Sequence, residues 1–338
     1  MKLALAPMAT LSHAPLRALI HRYGDPDEYF SEMIHAPSFV AGGRFESWYV
    51  RSEPCPDRMV WQLTGSDEAT IVRAAELLLS HGGIGIDLNM GCSAPDIARF
   101  GAGIAWMSKP LAEVSSLVSS VRRTTLVSGG QSPRLGVKLR LGETEDYPRL
   151  VEFCRMLADS GADIVTLHPR VRRDKYGRPA RREFVGRLAS DLSIPVYGNG
   201  DIRSAADALD FMERSPCAGL MVGRGAVRTP WIFGDIKRAE KARAENAGAC
   251  DAGTGESSIG DIDHLEVARF FIDALLEGQP PEFWISRAHR FFFYYCENFS
   301  FAHHIKMKIQ NAETTDAMLA ELERYFDEVP QDRILARA

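Results

Sequence analysis

The sequence predicts an α/β fold, a parallel (β/α)8 or TIM barrel, followed by a small C-terminal bundle of helices. Eight short apolar runs alternate with segments of helical periodicity through roughly the first two thirds of the chain. Strands that are apolar on both faces and joined through helices are typical of a parallel sheet, and eight such units favour closure into a barrel. A doubly wound sheet is the alternative. The runs are KLALAPM, EYFSEMI, MVWQLTG, GIGIDLNM, LGVKLRLG, DIVTLHPR, IPVYGNGD and GLMVGRGA.

Helical segments lie between these runs, and several end near Gly or Ser, as helix stop signals require. The stretch from 241 to 261, KARAENAGACDAGTGESSIGD, is small, polar and glycine-rich, which predicts a linker. Four segments beyond it carry helical spacing with no strand pattern between them. We therefore expect a barrel domain over 1–240, a linker over 241–261 and a helical domain over 262–338.

Composition narrows the class of protein. The chain has 338 residues, 45% of them hydrophobic, and a net charge of −5, so it can bury a large core and has no overall attraction to polyanions. No apolar stretch is long enough to cross a bilayer, and MKLALAPM predicts a buried strand rather than a signal peptide, so we expect a cytoplasmic protein without a membrane partner. The six cysteines form no CxxC pair or zinc spacing, which predicts no metal and an organic cofactor. We expect a monomer, and no protein partner is implied.

Polar residues at the carboxyl ends of the predicted strands are the main functional signal. Active sites of TIM barrels lie at this end. Packing alone favours apolar residues there, because an unpaired buried polar group costs about a few kcal/mol. The residues are Gln62, Asn89, Cys92, Lys138, Arg140, His168, Arg170, Asn199, Asp201 and Arg224. We expect them to meet in one site.

Two glycine-rich turns predict a phosphate-bearing cofactor or substrate. GNGD (198–201) and GRGA (223–226) follow the last two strands, where TIM barrels commonly bind phosphate, and Arg224 can form a forked contact with such a group. GAGIAW (101–106) lacks the strand-to-helix context of a dinucleotide fingerprint. Lys138 lies within a strand, where an ammonium needs an anionic partner. A reduced flavin is one such partner, and Asp87 is the alternative.

Eight motifs, in order along nearly the whole chain, resemble those of the tRNA-dihydrouridine synthases. These are FMN-dependent TIM-barrel enzymes that reduce the C5=C6 bond of a uridine in tRNA. The motifs are LAPMA, WQLTGSD, DLNMGC, GAGIAWM, VKLRLG, LHPR, YGNGDI and MVGRGAVRTPWIF. The resemblance implies that NADPH or NADH reduces FMN, that a hydride passes from flavin N5 to uracil C6, and that C5 is then protonated.

The resemblance also implies residue roles. The flavin ring would be lined by Pro7, Met8 and Ala9 and hydrogen-bonded by Gln62, Lys138 and His168. Its phosphate would be held by Asn199, Gly200, Asp201, Gly223 and Arg224. The uracil would be contacted by Asn89, Arg140 and Tyr176. Cys92 would be the general acid that protonates C5.

Basic side chains predict a path for the RNA backbone. The segment HPRVRRDKYGRPARR (168–182) carries seven Lys and Arg against one Asp, and more cations lie in the C-terminal helices. Solvated helix faces and a charged loop are the alternative. The candidates are Arg170, Arg172, Arg173, Lys175, Arg178, Arg287, Arg290, Lys306 and Lys308. The aromatic stretch HRFFFYYCENF predicts core rather than a base-stacking surface.

Two features depart from the family pattern. Ser93 stands where the family usually has proline after the cysteine, and a lysine often found a few residues further on is missing. Two other functions stay open. One is an FMN-dependent barrel reductase of a free small molecule, of the dihydroorotate dehydrogenase or ene-reductase type. The other is an RNA-binding homologue that has lost turnover. The basic loop and the helical tail argue against the first.

Overall fold

The computed structural model describes residues 1–126, 132–174, 177–246 and 260–337. Eight parallel strands pair in chain order, and the last pairs with the first, so the sheet closes into a barrel. The predicted TIM barrel is therefore confirmed, and the doubly wound alternative is wrong. The strands are β1 (Lys2–Leu5), β2 (Glu28–His35), β3 (Met59–Thr64), β4 (Gly85–Met90), β5 (Arg134–Leu139), β6 (Ile164–Leu167), β7 (Val196–Asn199) and β8 (Gly219–Val222).

Helices connect the strands and form the C-terminal part of the chain. Asp67 and Asp146 start two of them, since each carboxylate accepts a backbone N–H of the first turn. The helices are α1 (Ala14–Tyr23), α2 (Ala36–Val40), α3 (Glu46–Tyr49), α4 (Glu68–Leu79), α5 (Pro95–Ala98), α6 (Leu111–Leu126), α7 (Tyr147–Asp159), α8 (Glu183–Asp191), α9 (Ala205–Arg214), α10 (Arg224–Arg228), α11 (Ile232–Asn246), α12 (His264–Gly278), α13 (Pro281–Tyr295), α14 (Ala302–Gln310) and α15 (Thr315–Glu328). Short 3-10 helices occupy Pro56–Arg58, Gly103–Ser108, Cys296–Asn298 and Pro330–Asp332.

Side chains fill the interior of the barrel. Alternate residues of each strand point inward, and an apolar cluster results. It contains Ala4, Ala6, Phe30, Val60, Ile164, Tyr197 and Met221. Toward the amino ends of the strands, Arg134 donates to both carboxylate oxygens of Glu28 at 2.7 and 2.6 Å, and the Tyr197 hydroxyl donates to the same carboxylate at 3.1 Å. These bonds satisfy a buried charge at the end opposite the predicted site.

The chain divides into two compact units. The first contains Met1–Ser12, Asp27–Ile202 and Asp207–Gly223, and therefore all eight barrel strands. The second contains His13–Pro26, Arg203–Ala206 and Arg224–Ala338. This division differs from the predicted boundary at 240, because α1, α10 and α11 group with the C-terminal helices. Within the second unit Arg22 of α1 pairs with Glu266 of α12 at 2.7 Å, which joins α1 to the C-terminal helices.

The predicted linker over 241–261 also differs in part. Its first residues continue α11 as far as Asn246, and residues 247–259 lie outside the described part of the chain. The second unit contains a feature without a sequence signal, an antiparallel pair of two-residue strands, β9 (Ile262–Asp263) and β10 (Ile334–Leu335). Strands this short have no measurable periodicity.

Aromatic side chains form the core of the second unit, as the stretch HRFFFYYCENF predicts. The rings of Phe271 and Phe291 stack with centroids 3.8 Å apart, and Tyr295 stacks on Phe291 at 5.0 Å. Phe292 and Phe299 are also buried, whereas Phe293 is 41% exposed. Among the described residues, no helix combines the length and the apolar character that crossing a bilayer requires.

Candidate active site at the mouth of the barrel

A chain of hydrogen bonds joins β3 to the turn after β4 at the carboxyl end of the barrel. Gln62 Nε2 donates to Asp87 Oδ2 at 2.7 Å, and Asn89 Nδ2 donates to Gln62 Oε1 at 2.8 Å. Asn89 Oδ1 in turn accepts the backbone N–H of Cys92 at 2.9 Å and that of Gly91 at 3.2 Å. The position of Cys92 is thus tied to the interior of the barrel through three buried polar side chains.

Strand register explains why these side chains meet. Gln62 is paired with Asp87 across β3 and β4, and Asp87 and Asn89 are two residues apart, so both point inward. Gly136 of β5 is paired with Asp87 on the other side. A Cβ at Gly136 would lie 2.7 Å from Asp87 Oδ1, so any larger residue there would displace the carboxylate from its present position. A cluster of polar groups therefore depends on a glycine of the neighbouring strand.

The cysteine itself lies at the start of a compact loop. Cys92 is partly exposed, and its carbonyl oxygen accepts the backbone N–H of Ile104 at 2.9 Å. Gly103 has a φ of +60°, and a Cβ there would lie 2.5 Å from the Cys92 oxygen. The residues between Cys92 and Ile104 therefore form a loop whose two ends are hydrogen-bonded together. This holds the cysteine in place while leaving part of it open to solvent.

Lys138 stands on the strand next to Asn89. The two residues are paired across β4 and β5, and Lys138 Nζ donates to Asn199 Oδ1 of β7 at 3.1 Å. Burial lowers the pKa of Lys138 to about 8, although the nearby Asp87 carboxylate opposes that shift. In the described part of the chain the lysine forms no ion pair with Asp87, so the simple pairing considered as the alternative is absent. An ammonium at this point favours an electron-rich ligand.

Asp87 shows the opposite behaviour. Burial raises its pKa to about 6 from the ordinary value of 3.8, while the hydrogen bond from Gln62 and the charge of Lys138 act against the shift. The residue is 1% exposed. This buried carboxylate therefore changes its protonation state at a pH of about 6. It is hydrogen-bonded directly to Gln62 and, through Gln62, to Asn89.

His168, Arg170 and Asp201 form a second buried group after β6 and β7. Arg170 is fully buried, and its Nη2 donates to both carboxylate oxygens of Asp201 at 2.8 Å. Its Nη1 lies 2.8 Å from His168 Nε2. Asp201 also accepts the backbone N–H of Ala180 at 2.7 Å. The RNA-backbone role predicted for Arg170 is not supported, because its guanidinium is enclosed within the protein and paired with a carboxylate.

Gly200, in the turn after β7, allows the backbone to approach His168 closely. Gly200 has a φ of +128°, and a Cβ there would lie 3.1 Å from His168 Cδ2. The glycine thus lets the backbone approach the imidazole. Asp201 directs its carboxylate to Arg170 and its carbonyl to Arg182, whose Nη2 donates at 2.6 Å. Asp201 thus holds the turn through Arg170 and Arg182, and its contact with a phosphate stays a prediction.

The predicted flavin residues near the amino terminus follow β1 at the barrel mouth. Pro7 and Met8 are partly buried and Ala9 is exposed, and Met8 packs against the interior apolar cluster. A Cβ built at Gly223, directly after β8, would lie 3.4 Å from Met8 Sδ. The segments that follow β1 and β8 therefore lie side by side, where the first and last strands pair. Arg224 begins α10 and belongs to the second compact unit. Its phosphate contact stays a prediction.

Three residues assigned to ligands also have partners within the protein. Gln62 is fully buried and links Asp87 to Asn89, and its hydrogen bond to a flavin stays a prediction. Asn89 uses its amide for Gln62 and for the turn that carries Cys92. Arg140 is 7% exposed, and its Nη1 donates to the Val171 carbonyl at 3.4 Å. Tyr176 and Lys175 lie outside the described residues.

Other basic candidates in the loop after β6 are at the surface. Arg172, Arg173 and Arg178 are exposed. Arg172 pairs with Glu143 at 2.8 Å, and Arg178 pairs with the buried Asp174 at 3.2 Å. A polyanion can therefore reach all three of these arginines.

The candidates in the second unit divide in the same way. Arg290 and Lys308 are exposed, whereas Arg287 is 3% exposed. Lys306 lies 3.6 Å from Glu297 and 4.3 Å from the centroid of the Phe293 ring. Arg287 is therefore too deeply buried for the RNA contact predicted for it, since a helix pattern does not distinguish a buried arginine from an exposed one.

The structure also reveals residues that the sequence analysis did not select. The sequence pattern indicates Asp87 only as a partner of Lys138, although its position two residues before Asn89 places both side chains on one face of β4. Phe100 and Arg99, on the loop after Cys92, are exposed at the barrel mouth. The sequence signal that could have identified Arg99 and Phe100 is an aromatic residue directly before a glycine in the loop after Cys92.

A closed eight-stranded parallel barrel with amides, a lysine and a cysteine at its carboxyl end defines a TIM-barrel enzyme site. Among solved structures, the chain is similar to an old yellow enzyme homologue from Zymomonas mobilis. The TM-score is 0.51 at 12% sequence identity, with 84% of this chain and 94% of that chain covered. This likeness shows a common fold.

A sequence model described as dihydrouridine synthase (Dus) matches residues 4–329, so the chain belongs to the dihydrouridine synthase family. A Helicobacter pylori protein named probable tRNA-dihydrouridine synthase is 33% identical over 70% of each chain. A Xanthomonas axonopodis tRNA-dihydrouridine synthase B is 28% identical over 96% of this chain and 93% of its own. A Cryptococcus neoformans tRNA-dihydrouridine(47) synthase, whose name includes NAD(P)(+), is 33% identical over 69% of this chain and 33% of its own.

Proposed function

We propose that this protein reduces the C5=C6 bond of a uridine in tRNA to 5,6-dihydrouridine, with FMN as cofactor and NADPH as reductant. One observation carries the proposal: Asn89 holds the backbone of Cys92 at the barrel mouth and is paired in register with Lys138. A thiol that can give a proton, on the turn after β4, and an ammonium that can stabilise negative charge, on the adjacent strand β5, are thereby placed at the same end of the barrel. The family membership and the names of the relatives support tRNA as the substrate.

The barrel mouth fits a flavin by the chemistry of its donors. In the described part of the chain, Asn199 Oδ1 is the hydrogen-bond acceptor of Lys138 Nζ, so further ammonium protons are left for an electron-rich carbonyl edge. Met8, which is partly buried, adds an apolar side chain at the same end of the barrel. A flavin held there would supply the hydride when reduced. The residues that would hold it are Pro7, Met8, Ala9, Lys138, His168, Asn199, Gly200 and Gly223.

The proton in this proposal comes from Cys92. As the hydride reaches C6 of the uracil, negative charge develops toward C5 and O4, and the thiol gives its proton to C5. The resulting thiolate regains a proton from water. Asn89 keeps the thiol at a constant position through the N–H of Cys92, which matters because a displacement of about 1 Å can lower a rate about 100-fold.

Access to the uracil requires the base to leave the RNA stack, which calls for a grip on the backbone around it. The exposed Arg172, Arg173 and Arg178 on the loop after β6 support that role, because they lie at the same end of the barrel as Cys92. Arg170 contributes indirectly in this proposal, by holding Asp201 and the loop in place.

Mapping of dihydrouridine in the tRNA and ribosomal RNA of a strain without this gene tests the proposal. We expect a dihydrouridine site to disappear and to return when the purified holoenzyme and NADPH are added to the unmodified RNA. A full set of sites in the deletion strain would rule the function out. Reduction of free enones or orotate without reduction of tRNA would favour a small-molecule reductase, and tRNA binding without reduction would favour an inactive homologue.

A separate experiment distinguishes NADPH from NADH as the reductant. Stopped-flow rates of flavin reduction with NADPH and with NADH, at equal concentrations, give the preference directly. We expect the faster rate with NADPH. A faster rate with NADH would revise the reductant and leave the uridine chemistry untouched.

A further inference from the structure

An exposed aromatic ring stands out on the loop that begins at Cys92. Phe100 is 65% exposed, the most exposed of the large apolar residues identified in the described part of the chain. Burying this much apolar surface would lower the free energy of the protein in water, but the Phe100 ring remains exposed. It follows the short helix α5 and lies at the carboxyl end of β4, the end that carries the proposed active site.

The loop holds this ring in a defined position. The backbone N–H of Arg99 donates to the Pro95 carbonyl at 3.0 Å, and that of Gly101 to the Ala98 carbonyl at 3.1 Å. Gly101 has a φ of +77°, so the chain turns back directly after Phe100. The return is closed by the bond between Ile104 and the Cys92 carbonyl. Phe100 is therefore built on the same closed loop as the thiol.

The neighbour of the ring indicates what can cover it. The Arg99 guanidinium carbon lies 4.7 Å from the centroid of the Phe100 ring, a cation–π arrangement. Arg99 is itself 65% exposed in its side chain, with Asp96 at 3.2 Å. Nucleobases stack on aromatic rings and on guanidinium planes, and arginine also pairs with phosphate. An aromatic ring beside an arginine, on a loop next to a base-modifying site, thus fits single-stranded RNA better than an apolar protein segment.

We propose that Phe100 stacks on a nucleobase next to the target uridine, with Arg99 contacting the same stretch of RNA. The inference rests on the proposed function, since it takes RNA as the substrate, and it adds a stacking contact that holds the strand open around the extruded uracil. Stacking is tolerant of sequence because every base has a π-face. The contact therefore supports grip on the opened strand rather than choice of base.

Steady-state kinetics of the FMN-loaded protein on tRNA from the deletion strain test this contact. We expect Phe100→Ala to raise the KM for tRNA about 5- to 100-fold, as loss of one stacked base does. Phe100→Tyr should restore most of the affinity, and Phe100→Leu, which keeps apolar area without a π-face, should not. The slope of log KM against log salt should stay as in the wild type for Phe100→Ala, because no phosphate contact is lost.

Leu126→Ala provides the matched control. Leu126 is 61% exposed at the end of α6, the helix that leads into β5 from the amino-end side of the barrel. We expect wild-type KM for it. An unchanged KM in Phe100→Ala, or full rescue by Phe100→Leu, would overturn the stacking contact while wild-type turnover of tRNA still stands. Absence of dihydrouridine with the wild-type protein would instead overturn the proposed function, so the two failures are distinct.

Discussion

Asn89 Oδ1 accepts the backbone N–H of Cys92 at 2.9 Å, so a side chain inside the barrel determines where the proposed proton donor lies. The same oxygen also accepts the N–H of Gly91, and the amide nitrogen donates to Gln62. The resemblance of the sequence to a family assigns Asn89 to the uracil. The structure gives it a positioning role for the cysteine turn.

Asn89→Ala should disturb the turn before anything else. It removes three hydrogen bonds in a buried setting, which corresponds to about 2–3 kcal/mol of stability. We expect kcat for uridine reduction to fall at least about tenfold, with a smaller change in KM, because the thiol loses its position. The rate at which an alkylating reagent labels Cys92, followed by peptide mass spectrometry, should change as well.

Asn89→Asp is the matched variant, since it keeps an acceptor for the N–H groups of Gly91 and Cys92 but loses the donor to Gln62. We expect it to recover part of the wild-type labelling rate. A variant Asn89→Ala with wild-type labelling and a large rise in KM alone would show that Asn89 reads the uracil and does not position Cys92.

Cys92→Ala should separate the two halves of the reaction. We expect FMN binding and its reduction by NADPH to remain and uridine reduction to be lost, because the proton for C5 is missing. Cys217→Ala is the control: this cysteine is partly buried and hydrogen-bonded to the Gly219 carbonyl, outside the barrel mouth loop, and uridine reduction should persist. Wild-type turnover by Cys92→Ala would refute the acid role.

Lys138 predicts an alkaline limit to activity. Its pKa is lowered to about 8 by burial, so the ammonium is present below that pH and lost above it. Single-turnover rates of uridine reduction should therefore fall with a midpoint of about pH 8. Lys138→Arg keeps the charge at all these pH values, so any activity it retains should lack this limb. A wild-type profile that stays flat to about pH 10 would contradict the role of the charge.

Asp87→Asn should stabilise the protein at neutral pH. The folded-state pKa of about 6 lies above the ordinary 3.8, so stability falls as pH rises between these values, and ionised Asp87 costs about 3 kcal/mol at pH 7. An asparagine keeps the acceptor for Gln62 and removes the titration. Urea unfolding at about pH 4 and about pH 7 should show the gain at the higher pH only.

The exposed Asp57→Asn is the control for that measurement and should leave stability unchanged at both pH values. The same Asp87→Asn variant should also move the alkaline limit of uridine reduction to lower pH, since Asp87 raises the pKa of Lys138. Equal stability of wild type and Asp87→Asn at neutral pH would contradict a charged, buried carboxylate at this position.

Arg170 and Arg173, three residues apart, should behave differently. Arg170→Ala leaves the Asp201 carboxylate without its bidentate partner, and we expect a loss of about 3–5 kcal/mol in the free energy of unfolding. Arg173→Ala should leave stability unchanged, weaken tRNA binding and lower the salt dependence of binding by about one phosphate contact. Thermal denaturation and binding titrations over a salt series measure both. The reverse pattern would contradict the assignment.

The sequence determined the architecture because the signals are local. Each barrel strand is a short apolar run ended by polar or glycine residues, and this pattern can be recognised without knowing which residues the strand packs against. The place of Cys92 just after β4 also follows from the chain itself. The eight ordered motifs indicate the family that the match over residues 4–329 establishes.

Tertiary structure alone decided which polar residues face a ligand and which serve the protein. The bonds from Gln62 to Asp87 and Asn89 cross between strands separated by more than twenty residues, and they depend on the register of β3 and β4 and on the space left by Gly136. The buried guanidinium of Arg170 is paired with Asp201 and with the Arg178 carbonyl, which follow it by 31 and 8 residues in the chain. Such contacts join residues far apart in the chain, so no local sequence pattern predicts them. The hydrogen bonds that hold the turn at Cys92 are therefore visible only in the tertiary structure.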